Sequence, residues 1–212
     1  MGTKKTHVDV IDLSAETTKI KRIARDGNCC FRALSVILGG NPDHNSLRCM
    51  LNAWIREHKD KLVVSESEGK TCEGSMSVGE VLLHDLEDYE PWKSYQRKLG
   101  YDASIDDAIN FSDEKGTYGT GAHIIACAGA TGKVIRQTVR ACEDLGGGNL
   151  VVVQPVVPIP GTESVLSKAT IRYEHAAMRF MRDPDHYDLI TECEIVRKEV
   201  DSPPGKARWR HA

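Results

Sequence analysis

The hydrophobic pattern of this 212-residue chain changes character at about residue 132. Before that point apolar residues recur at three- and four-residue intervals, which is typical of amphipathic helices. After it, β-branched and aromatic runs such as NLVVVQPVVPI and AAMRFMR are separated by turn sequences such as GGGN and RDPD, which is typical of strands. Helices gathered in the first two thirds and strands in the last third predict an α+β domain with a sheet covered by helices.

Several helix predictions rest on local sequence. Residues 44–58 place apolar side chains on one face and charges on the opposite side. The apolar side chains are Leu47, Met50, Leu51, Trp54 and Ile55. Ser77 and Glu80 have the spacing of a capping box, so a second helix is predicted to begin there. Residues 119–128 predict a short helix of small residues that is closed by Gly129.

The length of the chain fits one domain with short additional segments. We expect an N-terminal segment over residues 1–19, one domain over 20–195, and a basic tail over 196–212 that is disordered beyond about Asp201. Residues 63–77 have no apolar period and are rich in Ser, Glu and Gly, which predicts a mobile loop.

Composition argues against several classes of function. The chain is 40% apolar and 28% charged, with a formal net charge of -3 at pH 7. These values are typical of a soluble globular protein, and they give no reason to expect nucleic acid or a membrane as the main partner. The N-terminus lacks the apolar segment of a signal peptide, so we expect a cytoplasmic protein. We also expect a monomer.

Cysteine usage predicts reduced thiols rather than disulfides. The seven cysteines are an odd number and are widely scattered, in a chain without a predicted secretory signal. They are Cys29, Cys30, Cys49, Cys72, Cys127, Cys142 and Cys193. Because no C-x-x-C spacing occurs, we expect no metal site.

The sequence RDGNCCFRAL combines a turn with the start of a helix. Gly27 can adopt positive φ, and Asp26 and Asn28 can bond to their own backbone, which predicts a turn with Asn28 as the helix N-cap. Cys29 would then take the first helical position, where backbone N–H groups and the helix dipole favour a thiolate. Cys30 falls on the apolar side of the helix and is interpreted as a core residue. A buried, inert thiol is an equal alternative for Cys29.

A second candidate group follows the turn sequence RDPD. His186 stands at the head of a predicted strand, and Asp188, two residues later, would point to the same face. The carboxylate could accept a hydrogen bond from one ring nitrogen while the other nitrogen faces a thiol. For this pair taken alone, a surface histidine in a turn is the favoured alternative. His123 and His175 are left unassigned.

Taken together, these segments resemble the ovarian tumour (OTU) family of cysteine proteases, which remove ubiquitin or ubiquitin-like modifiers. The residues DGNC followed by FRA resemble the family motif D-G-N-C-x-F-R-A, and HYD resembles its terminal H-Y-D/N motif. Between them, YGT followed by I-x-A-C-A resembles W-G-T-x-x-E-I-x-A-x-A. The three motifs stand in the family's order and span about residues 20–192. Tyr118 and His123 depart from the family's usual Trp and Glu.

The resemblance implies an OTU-like, papain-related cysteine protease fold with a central, mostly antiparallel sheet packed between helices. It implies that Cys29 is the nucleophile, His186 the general base, and Asp188 the residue that orients the base. Asp26 would also be catalytic, because it shapes the loop before the nucleophile. No metal or other cofactor is implied.

The same resemblance implies a surface that binds the modifier. Gly27 and Asn28 would form an oxyanion loop whose backbone N–H groups act together with that of Cys29. Since the C-terminal tail of ubiquitin is slender, we expect a narrow groove flanked by Gly119 and Tyr187. The expected partners are ubiquitin, polyubiquitin or a ubiquitin-like modifier, in the host cytoplasm if the protein is viral or bacterial.

Three alternatives stay open beside hydrolysis of the bond after the modifier's C-terminal glycine. The first is a catalytically weak ubiquitin-binding module, and the second is a non-enzymatic interaction domain with structural cysteines. The third is a thiol transferase that uses another acyl donor. The presence of Cys29, His186 and Asp188 together favours the hydrolase, acting through a thioester on Cys29.

Overall fold

The computed structural model describes residues 5–63, 76–139, 150–156, 172–180 and 187–201. The chain divides into two compact units. The sheet unit comprises residues 1–23, 136–155 and 174–212, and the helical unit comprises residues 24–135 and 156–173. Most of the loop predicted over residues 63–77, and the tail predicted beyond Asp201, lie outside the described residues.

The described helices all belong to the helical unit. They are α1 (Cys29–Ile37), α2 (His44–His58), α3 (Val78–Leu86), α4 (Glu90–Leu99), α5 (Ile105–Asp113) and α6 (Gly121–Thr131). The predicted bounds of α2 are confirmed. Asp43 is its N-cap, and the carboxylate of Asp43 accepts from the N–H of Asn45 at 2.9 Å, so the helix begins at His44. The predicted capping box of α3 is also confirmed: the N–H of Ser77 donates to Glu80 Oε2 at 2.6 Å. No described helix is long and apolar enough to cross a membrane.

The predicted end of α6 is wrong. The helix continues through Gly129 to Thr131, and its C-cap is Gly132, which has φ +66°. A methyl group added at Gly129 would overlap the indole ring of Trp54 on α2. Gly129 is therefore a close-packing position between α6 and α2, and the left-handed residue that ends the helix lies three positions later.

Large apolar side chains form the core of the helical unit. Its fully buried members include Phe31, Leu34, Leu47, Leu51, Ile55, Leu82, Leu86, Trp92, Ile109 and Ile124. Two polar residues of α2, Arg48 and Asn52, are buried with them. The helical periodicity assigned the charges of α2 to the opposite, solvated side, so Arg48 is a correction to the predicted pattern.

The strands form a seven-stranded sheet in the order β2-β6-β5-β3-β4-β1-β7, and most of its residues belong to the sheet unit. Its strands are β1 (Lys5–Asp12), β2 (Lys19–Lys21), β3 (Val134–Val139), β4 (Leu150–Val156), β5 (Arg172–Phe180), β6 (Tyr187–Glu192) and β7 (Ile195–Asp201). Strand β1 pairs antiparallel with both β4 and β7, and β6 pairs antiparallel with both β2 and β5. Helices together with an antiparallel sheet confirm the predicted α+β class.

The sequence pattern does not predict strands β1, β2 and β7. Strand β7 begins at the last residue of the predicted domain and occupies the first six residues of the predicted tail. It pairs with β1, which lies in the predicted N-terminal segment, in a register that places Val10 opposite Val196. These parts of both terminal segments are therefore strands of one sheet.

Candidate active site

The turn before α1 depends on a glycine for two reasons. Gly27 has φ +74°, a conformation that costs an L-residue with a side chain free energy. A methyl group added there would also overlap the carbonyl oxygen of Gly116. The predicted turn over residues 26–28 therefore packs directly against a second turn, over residues 114–117.

Asp26 closes this turn onto the first turn of α1. Its Oδ1 accepts from the N–H of Asn28 at 3.0 Å, and its Oδ2 accepts from Nη2 of Arg32 at 2.6 Å. The hydrogen bond from Arg32 is the main reason that the pKa of Asp26 is lowered to about 2. The Asn28 N–H, one of the predicted oxyanion donors, is bonded to this carboxylate in the structure.

Cys29 is the first residue of α1 and Cys30 the second, and both thiols are fully buried. The first helical hydrogen bond runs from the N–H of Arg32 to the carbonyl of Asn28 at 2.8 Å. The N–H of Cys29 thus belongs to the first turn of α1, before the first hydrogen bond of the helix. Burial raises the pKa of Cys30 well above its usual value, and the neighbouring thiols of Cys29 and Cys127 act in the same direction. The interpretation of Cys30 as a core residue is confirmed.

Asn28 occupies the N-cap position, but its side chain does not cap the helix as predicted. Its Nδ2 donates to the carbonyl of Asp26 at 3.3 Å, and its Oδ1 accepts from Nη2 of Arg48 at 2.8 Å. The amide oxygen that would have capped α1 is therefore used to bind a side chain of α2.

Arg48 joins several segments around the nucleophile turn from a buried position. Its Nη1 donates to the carbonyl of Ser112 at 2.8 Å and to Oγ1 of Thr117 at 2.6 Å. Its Nη2 donates to the carbonyl of Thr117 at 2.7 Å as well as to Asn28. The guanidinium also lies 4.0 Å from the ring centroid of Phe31.

Gly119, a predicted flank of the substrate groove, packs against the core side of α1. A methyl group added there would lie 2.5 Å from Cβ of Cys30 and 2.8 Å from its Sγ. Close packing therefore explains why a glycine stands at this position, and its role in a groove stays a prediction.

His123, which the sequence left undecided, is a fully buried structural residue. It stands at the third position of α6, where its Nδ1 accepts from the N–H of Thr120 at 3.0 Å. Because Nδ1 is an acceptor, Nε2 carries the proton and donates to Oδ1 of Asn52 at 2.9 Å. The amide of Asn52 then donates to Asp113 Oδ1 at 2.8 Å. Burial lowers the pKa of His123 to about 3, so the ring is neutral.

In the sheet unit, Asp188 is buried at the second position of β6. Its Oδ2 accepts from Nη1 of Arg22 at 2.7 Å, and its Oδ1 accepts from the N–H of Ile23 at 3.0 Å. Both donors follow directly after β2, so the pairing of β2 with β6 brings them to the carboxylate. Tyr187, a predicted groove residue, is 2% exposed. His186 lies outside the described residues.

The predicted site residues thus fall into two described groups. Asp26, Gly27, Asn28, Cys29 and Gly119 belong to the helical unit. Tyr187 and Asp188 belong to the sheet unit, and their roles stay predictions. Among the described residues, no group of three His, Cys, Asp or Glu side chains could hold a metal ion.

Comparison with protein-family models and with curated proteins finds no match. Solved structures that are similar to this chain include several OTU domains. The OTU domain of OTUD1 has a TM-score of 0.45 and 14% identity, and the match covers 83% of this chain and 87% of that one. For the viral OTU domain protease from Dera Ghazi Khan virus the TM-score is 0.48 and the identity 11%, over 89% and 90% of the two chains. For the Hazara virus OTU, solved bound to ubiquitin, the corresponding values are 0.47, 11%, 89% and 91%.

Proposed function

We propose that this protein is a thiol-dependent deubiquitinase of the OTU type. It would hydrolyse the isopeptide or peptide bond after the C-terminal glycine of ubiquitin or a ubiquitin-like modifier. The observation that carries the proposal is the placement of Cys29 at the first position of α1, directly after the constrained turn of Asp26 and Gly27. That turn belongs to the motif D-G-N-C-x-F-R-A, and the motif H-Y-D follows it in the family's order.

The reaction needs a nucleophile, a base and an oriented carboxylate. His186 takes the proton of the Cys29 thiol, and the thiolate attacks the carbonyl carbon of the modifier's C-terminal glycine. The imidazolium then gives its proton to the leaving amine of the lysine, the C–N bond breaks, and a thioester remains on Cys29. Water deprotonated by His186 attacks the thioester and releases the modifier with its carboxylate, while the thiol is restored.

Two features of the described structure favour the roles proposed for Asp188 and for the N–H of Cys29. Asp188 is buried and held by two donors, which fits a carboxylate that must keep one orientation beside a base. The first-turn N–H of Cys29 lies at a helix N-terminus, where donors favour a developing oxyanion. We propose that Asn28 contributes its N–H only after releasing it from Asp26.

A catalytically weak ubiquitin-binding module is the second candidate. The complete burial of the Cys29 thiol favours it, because a nucleophile must be reached by the carbonyl carbon that it attacks. Under this alternative the motifs would preserve a binding surface, and turnover would be slow or absent.

Ubiquitin that carries an electrophile at its C-terminus separates the two candidates. We expect the wild type and Cys30→Ala to form a covalent adduct, and Cys29→Ala and His186→Ala to form none or very little. Cys30→Ala is the matched control, since it removes the adjacent thiol from the same helix. Adduct formation that survives Cys29→Ala would overturn the assignment of the nucleophile. Binding of ubiquitin without an adduct in any form would support the weak module.

A further inference from the structure

The guanidinium of Arg48 is buried in an unusual setting. It is 2% exposed, and its four hydrogen bonds to described residues all go to neutral oxygens, on Asn28, Ser112 and Thr117. Among the described residues no carboxylate accepts a hydrogen bond from it, and its Nε is buried without a partner there.

Such an arrangement is a poor means of stabilising a core. A buried cation loses its hydration, and neutral acceptors replace that hydration only in part. Replacement of buried ionic groups by apolar side chains of similar volume is often neutral or stabilising. The residue therefore calls for an explanation in geometry rather than in stability.

The geometry joins the two turns that flank the nucleophile. From one side, Nη2 of Arg48 holds Oδ1 of Asn28, the residue before Cys29. From the other side, both terminal nitrogens of Arg48 donate to Thr117. Thr117 belongs to the same turn as Gly116, whose carbonyl oxygen lies against Gly27. The separation of the two turns is thus set by one planar group.

We propose that Arg48 is a positioning residue for Cys29. By fixing the side chain of Asn28 against the turn of residues 114–117, it holds the first turn of α1, and with it the thiol and N–H of Cys29, in one place. This inference rests on the proposed function. Lysine cannot substitute, because an ammonium group has three donors and lacks the planar fork that serves four acceptors.

The test compares Arg48→Lys and Arg48→Met with Arg56→Lys. Arg56 stands two turns later on α2, with a side chain that is 45% exposed and donates to Asp113 at 3.2 Å. For each variant we would measure the rate of adduct formation with the ubiquitin electrophile, kcat and KM on a fluorogenic ubiquitin amide, and the urea midpoint of unfolding.

A misplacement of about 1 Å costs about 100-fold in rate, so we expect both Arg48 variants to lose about 10- to 100-fold in kcat with KM little changed. Arg56→Lys should react at the wild-type rate. A merely structural role would instead lower the midpoint and leave the rate per folded molecule unchanged, and that result would overturn the proposal. If the wild type itself forms no adduct, the proposed function fails. If the wild type forms the adduct and both Arg48 variants form it at the same rate, the proposed function stands and the positioning role of Arg48 fails.

Asn28→Ala and Thr117→Val keep the proposal testable if the Arg48 variants do not fold. Each removes one acceptor of the guanidinium and leaves the charge in place. Both should slow adduct formation, and the double variant should lose less than the product of the two single losses, because they act through one side chain. Full multiplication of the two losses, or no loss in either, would contradict the proposal.

Discussion

The buried ring of His123 makes the stability of the helical unit depend on pH in a definite direction. Its pKa in the folded protein is about 3, against an ordinary value of 6.5. At pH 7 the ring is mostly neutral in both states, so it contributes almost nothing to the pH dependence. Between pH 6.5 and 3 the unfolded chain binds a proton that the folded protein does not bind. Proton binding therefore stabilises the unfolded state, and the free energy of unfolding falls as the pH falls.

The size of the effect follows from the same two values. Each pH unit below 6.5 favours the unfolded state by about 1.4 kcal/mol, so the free energy of unfolding should drop by about 2 kcal/mol from pH 7 to pH 5. Asp26, whose pKa is lowered to about 2, changes its protonation mainly below pH 4 and does not enter this window. Between pH 7 and pH 5, the change in stability thus reports the titration of His123 and not that of Asp26.

His123→Gln removes the titration and keeps the hydrogen bonds within reach. The amide oxygen of glutamine can accept from the N–H of Thr120, as in an ordinary capping box, and its N–H₂ group can still donate towards Asn52. Urea unfolding followed by tryptophan fluorescence at pH 7 and pH 5 should show the 2 kcal/mol drop in the wild type and little of it in the variant. His84→Gln is the matched control, because the side chain of His84 is 42% exposed. Equal drops in the wild type and His123→Gln would refute the neutral, buried histidine.

Three further substitutions test the packing of the site. Gly27→Ala should abolish adduct formation and should destabilise the protein more than Gly39→Ala. Gly39 has φ +91° and nothing lies within 4 Å of an added methyl group, so Gly39→Ala should cost about 1–2 kcal/mol of stability without loss of activity. Equal costs in stability would show that the contact at Gly27 does not matter. Gly119→Ala should destabilise by about 1–3 kcal/mol in urea unfolding, whereas a raised KM at unchanged stability would instead support the groove role. His123→Glu should destabilise by about 1–3 kcal/mol, because it places a carboxylate opposite Oδ1 of Asn52. Asp113→Asn should recover part of that loss, because the amide of Asn52 can then turn over and donate to the glutamate. Simple addition of the two effects on stability would argue against the network.

Several features that depend on neighbouring residues alone could be predicted from the sequence. The bounds of α2, the capping box of α3 and the turn at Gly27 each follow from a few adjacent side chains. Features set by distant pairing could not. Arg48 has the spacing of a solvated residue, and its burial depends on acceptors 64 and 69 residues away in the chain. Likewise Arg22 reaches Asp188 across 166 residues because β2 pairs with β6, and no local pattern marks that pairing.

The two departures from the middle OTU motif that residues 118–128 resemble lie at positions with contacts inside the helical unit. Tyr118 packs edge-on against Tyr89, with ring centroids 4.9 Å apart, so a smaller aromatic ring is accommodated there. His123 accepts the N–H of Thr120 that a glutamate at the third helical position would accept, and its second nitrogen adds a donor for Asn52 that a carboxylate lacks. Both exchanges thus serve packing and capping inside the unit. For the proposed deubiquitinase, we therefore expect selection among modifiers or linkages to depend on residues other than these two.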